Sequence, residues 1–176
     1  MNTRMIYEPD EESLKYAAKV IRDGGLVVFP TETVYGLGAD ALSSDAAEKI
    51  YKAKGRPSDN PLIITLPSVA DVEKYAYPPK SFYKLSEKFL PGPLTCVVRK
   101  KSIIPDTVSA GLPTVAVRVP SNPIAQKLCA LSGVPVAAPS ANLSGKPSVT
   151  SLKSAIEDMY GRVDVIIDGG ESEIGL

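Results

Sequence analysis

Residues 26–38, LVVFPTETVYGLG, contain the clearest strand in the chain and, directly after it, the clearest sign of a ligand site. The apolar run 26–29 is typical of a buried β-strand, and Pro30 ends it because proline lacks the N–H group that a strand interior needs. Three hydroxyl side chains follow, together with two glycines that allow the backbone to approach a ligand closely. We predict a small-ligand pocket at residues 30–38, although a tight turn with its tyrosine packed on the core fits equally well.

Helices and strands alternate on either side of this stretch. Asp10 caps a first helix that ends at Gly24, and Ser44 caps a second helix. Further helices are predicted at residues 68–75, 81–90, 122–131 and 151–160, and further strands at residues 62–66, 94–99, 114–119, 134–138 and 163–167. The order is not a clean βαβ series, so we predict an α/β fold whose sheet is mixed rather than all-parallel.

Composition excludes several classes of site. The 176 residues, 44% hydrophobic, suit one domain with a real core. The chain has no histidine, which excludes Ser-His-Asp and Cys-His pairs, HExxH zinc sites and imidazole bases. Cys96 and Cys129 form neither a disulfide framework nor a four-ligand zinc site. No apolar run resembles a signal peptide or approaches the roughly 20 residues of a membrane span, so we expect a cytoplasmic protein without a membrane partner.

Charge is balanced overall but unevenly distributed. Twenty basic side chains match twenty acidic ones, yet residues 51–101 carry ten basic and four acidic groups. This third of the chain is therefore a candidate face for an anion such as a nucleotide or RNA phosphate. Solvation of helix surfaces is the stronger interpretation for four of its lysines, namely Lys74, Lys80, Lys84 and Lys88.

Three further segments carry side chains suited to an anionic or polar ligand. Residues 52–61, KAKGRPSDNP, resemble a phosphate-binding loop in their basic residues but lack the glycine spacing of a Walker A motif. In the strand TVAVRVP, Arg118 would need an anionic partner if it were buried. Residues 138–148, APSANLSGKPS, again follow a strand. Each segment alone also fits a structural role, but strand ends in α/β sheets gather around ligands, so we expect the four to share one pocket.

The segments PTETVYGLG, KAKGRPSDNPL, FLPGPLT, TVAVRVP and APSANLSGKPSVT, in this order, resemble the YrdC-like threonylcarbamoyl-adenylate synthases over residues 14–176. The resemblance implies a single domain with a twisted mixed sheet around a large, positively charged cavity. It implies that L-threonine, bicarbonate or CO2, and ATP yield threonylcarbamoyl-AMP and pyrophosphate, with Mg²⁺ accompanying the ATP. In that family, partner proteins move the threonylcarbamoyl group to adenosine 37 of tRNA, and tRNA or double-stranded RNA is a candidate partner.

The resemblance also assigns roles to individual residues. It implies that Lys54 and Arg56 are catalytic and face the phosphates. The implied contacts with L-threonine are Thr33, Tyr35, Thr65, Arg118, which would hold the carboxylate, and the backbone of Ala138. The implied contacts with ATP are Arg56, Asn60, Thr114, Ser140, Asn142 and Ser148, and no side chain is implied as a metal ligand. Thr65 stands where the longer branch of the family often has histidine, so it would offer a hydrogen bond but no charge.

The ending GGESEIGL resembles that longer branch, in which a Glu-Ser-Thr segment, a linker and a second domain follow. We therefore expect residues 1–176 to be a YrdC-like catalytic domain that is incomplete at its C-terminus. Two alternatives stay open. One is a non-catalytic RNA-binding module, although the aromatic interleaving of single-strand binders is absent. The other is a domain related to carbamoyl transferases, although two cysteines and no histidine argue against the zinc-finger context of those proteins.

Overall fold

The computed structural model describes residues 1–57 and 60–169, and nine strands in this part of the chain form one sheet. The strands are β1 (Arg4–Ile6), β2 (Val27–Phe29), β3 (Gly36–Asp40), β4 (Ile63–Thr65), β5 (Ala76–Tyr77), β6 (Thr95–Lys100), β7 (Thr114–Arg118), β8 (Val136–Ala137) and β9 (Val165–Ile167). The helices are α1 (Glu11–Arg22), α2 (Ser44–Lys54), α3 (Lys80–Phe89), α4 (Asp106–Ser109), α5 (Pro123–Ser132) and α6 (Leu152–Met159), and a 3-10 helix covers Val69–Lys74.

The sheet is mixed, which confirms the predicted class. Its strand order is β1-β9-β2-β3-β8-β4-β7-β6-β5. The pairs β1–β9, β2–β9 and β4–β7 are parallel, and the remaining neighbours are antiparallel. The buried side chains form two clusters, one that α1 and α5 share with β2 and β9, and a larger one that includes residues of α2, β4 and β7. The sheet therefore has an apolar layer on each face.

The first helix begins as predicted, and the second begins one residue earlier. Asp10 accepts a hydrogen bond from the Ser13 N–H at 2.8 Å, while its own N–H donates to the Ser13 hydroxyl. In α2 the capping residue is Ser43, whose hydroxyl accepts a hydrogen bond from the Ala46 N–H at 3.1 Å. The prediction of Ser44 as the cap was wrong because Ser43 keeps an extended backbone, whereas Ser44 already lies in the helix.

Four elements had no clear signal in the sequence, namely β1, β3, β5 and α4. Strands β1 and β5 are only three and two residues long. Strand β1 pairs with β9, which lies near the other end of the sequence, and β5 pairs with β6, which follows it only after α3. Strand β3 reads GLGAD, a composition that strands usually avoid. The predicted helix 68–75 is a 3-10 helix, and the predicted strand 134–138 shortens to Val136–Ala137 because only these residues pair with β3 and β4.

The outer surfaces of the helices carry charge. Lys80, Lys84 and Lys88 are exposed on α3, and Lys74 pairs with Asp71 at 2.7 Å. These positions agree with lysines that solvate helix surfaces. In the described part of the chain, no helix is both long enough and apolar enough to cross a membrane.

The two glycines of β3 lie against the ring of Phe29. The register pairs Phe29 with Gly36, and a methyl group built on Gly36 would lie 3.3 Å from Phe29 Cζ. A methyl group on Gly38 would lie 2.8 Å from Phe29 Cε1 and 3.0 Å from Val136 Cγ1. At Gly38, therefore, the group that approaches the backbone closely is an aromatic ring of the core.

Replacement of Gly38 by alanine should lower the free energy of unfolding by about 1–3 kcal/mol, since an added methyl group in a packed core forces neighbouring groups to shift. Denaturant unfolding measures this loss. Phe29→Leu removes the ring edge that the methyl group meets, so the two losses should be less than additive in the double variant. A Gly38→Ala protein as stable as the wild type would contradict this account of the glycine.

Candidate active site

A cavity of about 300 Å³ opens where two polar segments meet the ends of the central strands. They are the first segment, residues 30–38, and the fourth segment, residues 138–148. Its walls come from residues 31–36 and 138–148, from β4 and β7, and from residues 93–95. Six of the residues predicted from the sequence line it, namely Thr33, Thr65, Arg118, Ala138, Ser140 and Ser148. Thr31, Pro93 and Thr95 line it as well. Pro93 and Thr95 belong to the segment FLPGPLT, in which the sequence indicated no site residue.

Backbone hydrogen bonds hold the first and fourth segments together. The Tyr35 N–H donates to the Val149 carbonyl, and the Ala141 N–H donates to the Tyr35 carbonyl, both at 2.8 Å. The Leu37 N–H donates to the Pro139 carbonyl at the same distance. The two segments whose similar chemistry was visible in the sequence thus form one structural unit on one side of the cavity.

Arg118 lies at the end of β7 between two threonines of the neighbouring strands. The register places Thr65 of β4 on one side of it and Thr95 of β6 on the other. Its Nη2 group donates to the Thr33 hydroxyl at 2.9 Å and to a carboxylate oxygen of Glu32. Its Nε–H group is buried and has no hydrogen-bond partner among the described residues. The guanidinium therefore lies at the cavity wall among the hydroxyl side chains of neighbouring threonines.

Glu32 is the anionic partner of the largely buried Arg118. Its side chain is 3% exposed, and its second oxygen accepts hydrogen bonds from the N–H and the hydroxyl of Ser121 and, at 3.3 Å, from the Asn122 N–H. Burial by itself would raise the pKa of Glu32, but the bonds from Ser121 and the charge of Arg118 lower it overall. The sequence indicates the need for such a partner but does not identify it, because 86 residues separate the two side chains.

Lys54 ends α2 and points toward the fourth segment. Only 3% of this residue is exposed, and its ammonium group donates to the Ser140 carbonyl and, at 3.5 Å, to the Asn142 side-chain oxygen. Burial, followed by the positive charge of Arg56, lowers the pKa of Lys54 to about 8, while Asp158 acts in the opposite direction. The lysine thus lies directly behind a wall of the cavity and is less basic than an exposed lysine.

Asn142 and Asp158 hold the loop that contains Ser140 and Ser148. The Asn142 amide group donates to the carbonyls of Leu143 and Lys146 at 2.9 and 3.0 Å, and its oxygen accepts from the Ser140 hydroxyl. Buried Asp158 of α6 accepts from the Leu143 N–H at 3.0 Å and from the Lys146 ammonium at 3.3 Å. The sequence does not single out Asp158, because one acidic residue in an amphipathic helix resembles an ordinary surface charge.

Arg56 and Asn60 lie outside the cavity wall. The Arg56 guanidinium donates to the carbonyls of Asn60 and Pro61 at 3.1 and 3.3 Å, and its Nε–H group is buried without a partner among the described residues. The Asn60 side chain is exposed. Ser58 and Asp59 of the same segment lie outside the described residues. This segment therefore surrounds a positive charge that faces no anion in the part of the chain that the structure describes.

Tyr35 and Thr114 also lie outside the cavity wall, for different reasons. Tyr35 is fully buried in the core, where its hydroxyl accepts a hydrogen bond from the Gly169 N–H at 3.0 Å. Thr114 pairs with Arg99 at the other end of β7, on the same face as Arg118. Four residues of strand correspond to a separation of about 13 Å along the sheet.

An open strip of the sheet connects the cavity with Thr114. The row between Arg118 and Thr114 consists of Ile63, Ala116 and Val97, which the register places side by side. Val97 is 69% exposed, so this strip is apolar and accessible. A ligand longer than the cavity could therefore extend along the sheet toward Thr114.

The donor set suits anions. Among residues 1–57 and 60–169, no group of three or more His, Cys, Asp or Glu side chains could hold a metal ion, and Arg118 is the charged residue that lines the cavity. Hydroxyls, one guanidinium and the nearby Lys54 can orient a carboxylate or a phosphate. A divalent cation would fit this site as a companion of a polyphosphate, whose oxygens would be its ligands.

Comparison with known proteins gives a consistent result. The family model Sua5_yciO_yrdC, described as telomere recombination, matches residues 19–176. A threonylcarbamoyl-AMP synthase of Pyrococcus abyssi is 52% identical over 168 residues, which cover 95% of this chain and 49% of that protein. A threonylcarbamoyl-AMP synthase of Bacillus subtilis is 47% identical over 169 residues, with 95% and 49% coverage. The chain spans about half the length of these curated relatives.

The fold also matches a solved structure. The crystal structure of P. abyssi Sua5 complexed with L-threonine superposes with a TM-score of 0.94 at 50% identity, covering 99% of this chain and 52% of that one.

The Lys54 ammonium should titrate near pH 8, which NMR of ¹³C-labelled lysine can follow with Lys54→Met as the assignment control. Asp158→Asn removes a nearby negative charge and should lower the pKa further, whereas Arg56→Gln removes a positive charge and should raise it. A Lys54 signal that titrates together with the exposed lysines, well above pH 9, would contradict the described environment.

Proposed function

The chain belongs to the Sua5/YciO/YrdC family, and we propose that it is a cytoplasmic enzyme that forms threonylcarbamoyl-AMP and pyrophosphate from L-threonine, bicarbonate or CO2, and ATP. The observation that carries the proposal is Arg118, a largely buried cation that lines a cavity with the threonine side chains of neighbouring segments. The names of the relatives and the L-threonine bound to P. abyssi Sua5 support the same substrate class.

The cavity suits the amino acid. About 300 Å³ lies at the lower end of the range for small-molecule pockets. Arg118 would bind the carboxylate, while the Thr33 hydroxyl and the Ala138 backbone would contact the rest of the molecule. Val34 and Ile63 add apolar wall beside these groups, where a methyl group can be buried. Such a wall favours threonine over serine, by about 10- to 200-fold for one methyl group.

The nucleotide would lie between the fourth segment and the open strip. Ser140, Asn142 and Ser148 would contact the phosphates or ribose, and Thr114 the far end of the nucleotide. Lys54 and Arg56 would then face the phosphates from the side of α2, and Asn60 would help from the same loop. Mg²⁺ would arrive with the ATP and reduce the charge of the triphosphate.

The chemistry requires charge neutralisation more than a base. The amine of threonine combines with CO2, loses a proton to solvent, and becomes a carbamate. A carbamate oxygen then attacks the α-phosphorus of ATP, and the bond to the leaving pyrophosphate breaks. Lys54, Arg56 and Arg118 would hold these anions together and stabilise the charge that develops during transfer. The product is a mixed anhydride, which partner proteins would consume by transfer of the threonylcarbamoyl group to tRNA.

Calorimetry with L-threonine tests the proposal directly. The protein should bind L-threonine at millimolar concentration or better, and L-serine should bind more weakly because it lacks the methyl group. A nonhydrolysable ATP analogue should bind the same protein. A wild-type chain that binds no L-threonine, with or without the analogue, would refute the proposed substrate.

Lys54→Ala and Arg56→Ala should abolish the pyrophosphate release that depends on both threonine and bicarbonate. Loss of one such contact typically raises the barrier by about 2–4 kcal/mol, or roughly 30- to 1,000-fold in rate. Lys84→Ala removes an exposed lysine of α3 and serves as the matched control. Turnover at the wild-type rate in either site variant would remove that residue from the mechanism.

A further inference from the structure

We propose that Glu32 is a positioning residue for the amino-acid site, holding the Arg118 guanidinium at the cavity wall, where it can bind a ligand carboxylate. This inference rests on the proposed function, because it identifies how the substrate-binding arginine is oriented. Glu32 does not line the cavity itself, but its side chain binds Arg118, which does.

The two oxygens of Glu32 connect Arg118 to a fixed support. One oxygen accepts from Arg118, and the other accepts three hydrogen bonds from Ser121 and Asn122, at the turn between β7 and α5. Asn122 in turn caps α5, because its side-chain oxygen accepts from the N–H groups of Ile124 and Ala125. The carboxylate is therefore attached to the start of a helix, which has little freedom to move.

This support also matches the charge of Glu32. The N-terminus of a helix carries partial positive charge, which favours an anion. With the bonds from Ser121, it keeps Glu32 ionised at neutral pH, in agreement with its lowered pKa. An ionised Glu32 gives Arg118 a permanent partner, so the largely buried guanidinium is compensated before any ligand binds.

Orientation is the part of binding that Glu32 supplies. An arginine side chain has many rotamers, and fixing them costs free energy if binding must do it. In this protein Nη2 is already fixed by Glu32 and Thr33. The guanidinium is thus held at the cavity wall, beside Thr65 and Thr95 of the adjacent strands, before a ligand arrives. A ligand carboxylate then meets a cation that needs little further ordering.

Glu32→Gln is the direct test, because glutamine keeps the size of the side chain but cannot accept from both Arg118 and the Ser121 turn. The dissociation constant for L-threonine should rise about 10- to 100-fold, in line with the loss of hydrogen bonds to charged groups. Affinity for the ATP analogue should stay within about twofold. Glu12→Gln, at an exposed position of α1, is the matched control and should change neither affinity.

A double-variant comparison separates positioning from general destabilisation. If Glu32 acts through Arg118, Glu32→Gln should add no further loss of threonine affinity in an Arg118→Gln background. Additive losses, or equal weakening of threonine and ATP-analogue binding together with a lower Tm, would overturn the proposal. So would unchanged threonine affinity in a folded Glu32→Gln protein.

Ser121→Ala keeps the test decisive if Glu32→Gln does not fold. This milder change removes one hydrogen bond to Glu32, the one from the Ser121 hydroxyl at 2.7 Å, and should weaken threonine binding about fivefold. Unchanged affinity in Ser121→Ala would overturn the proposal in that case. A wild-type chain that binds no threonine would instead refute the proposed function, so the two failures are distinguishable.

Discussion

The pairing of β3 joins the two halves of the sheet, and the candidate site is built at this junction. On one side β3 pairs with β2, which continues to β9 and β1, and on the other side with β8, which continues to β4 and β7. The same chain segment extends beyond the strand and binds the backbone of residues 139–149. Thr33 thereby comes to face Arg118 from across the junction. A strand rich in glycine can take this position because Phe29 fills the space above it.

Much of the fold and part of the cavity wall could be predicted from the sequence. Runs such as 26–29 and 114–119 indicate buried strands because apolar side chains must leave water, and polar residues just beyond a strand end are natural pocket residues. Thr33, Arg118 and Ser140 were found in this way and through the family resemblance. Glu32 and Asp158 were missed because their partners are chosen by the tertiary fold, and no local pattern distinguishes a buried carboxylate from an exposed one. Strands β1 and β5 were missed for the same reason, since their pairing rather than their composition makes them strands.

The cations of the site differ in how the protein compensates them. Arg118 has a full ionic partner in Glu32, whereas Lys54 is held by a carbonyl and an amide oxygen, with Asp158 as a more distant negative charge. Arg56 binds two carbonyls. An arginine that orients a small carboxylate needs a fixed direction, which a partner carboxylate supplies. Cations that face a polyanion should not be paired with a carboxylate of the protein, because such a partner would compete with the phosphates. Both arrangements place oriented charges before the substrates arrive, which is the usual source of electrostatic stabilisation in enzymes.

The weak basicity of Lys54 also links ligand binding to solvent protons. Near pH 8 a substantial fraction of this side chain is neutral in the free protein, because burial disfavours its charge. A polyanion that settles beside it favours the charged form, and the missing fraction of a proton is drawn from the buffer. The heat of binding near that pH therefore contains the ionisation heat of the buffer, in proportion to the protons taken up. Two buffers of different ionisation enthalpy would give different apparent heats for the same binding event. The difference between the two heats, divided by the difference between the two ionisation enthalpies, gives the number of protons taken up.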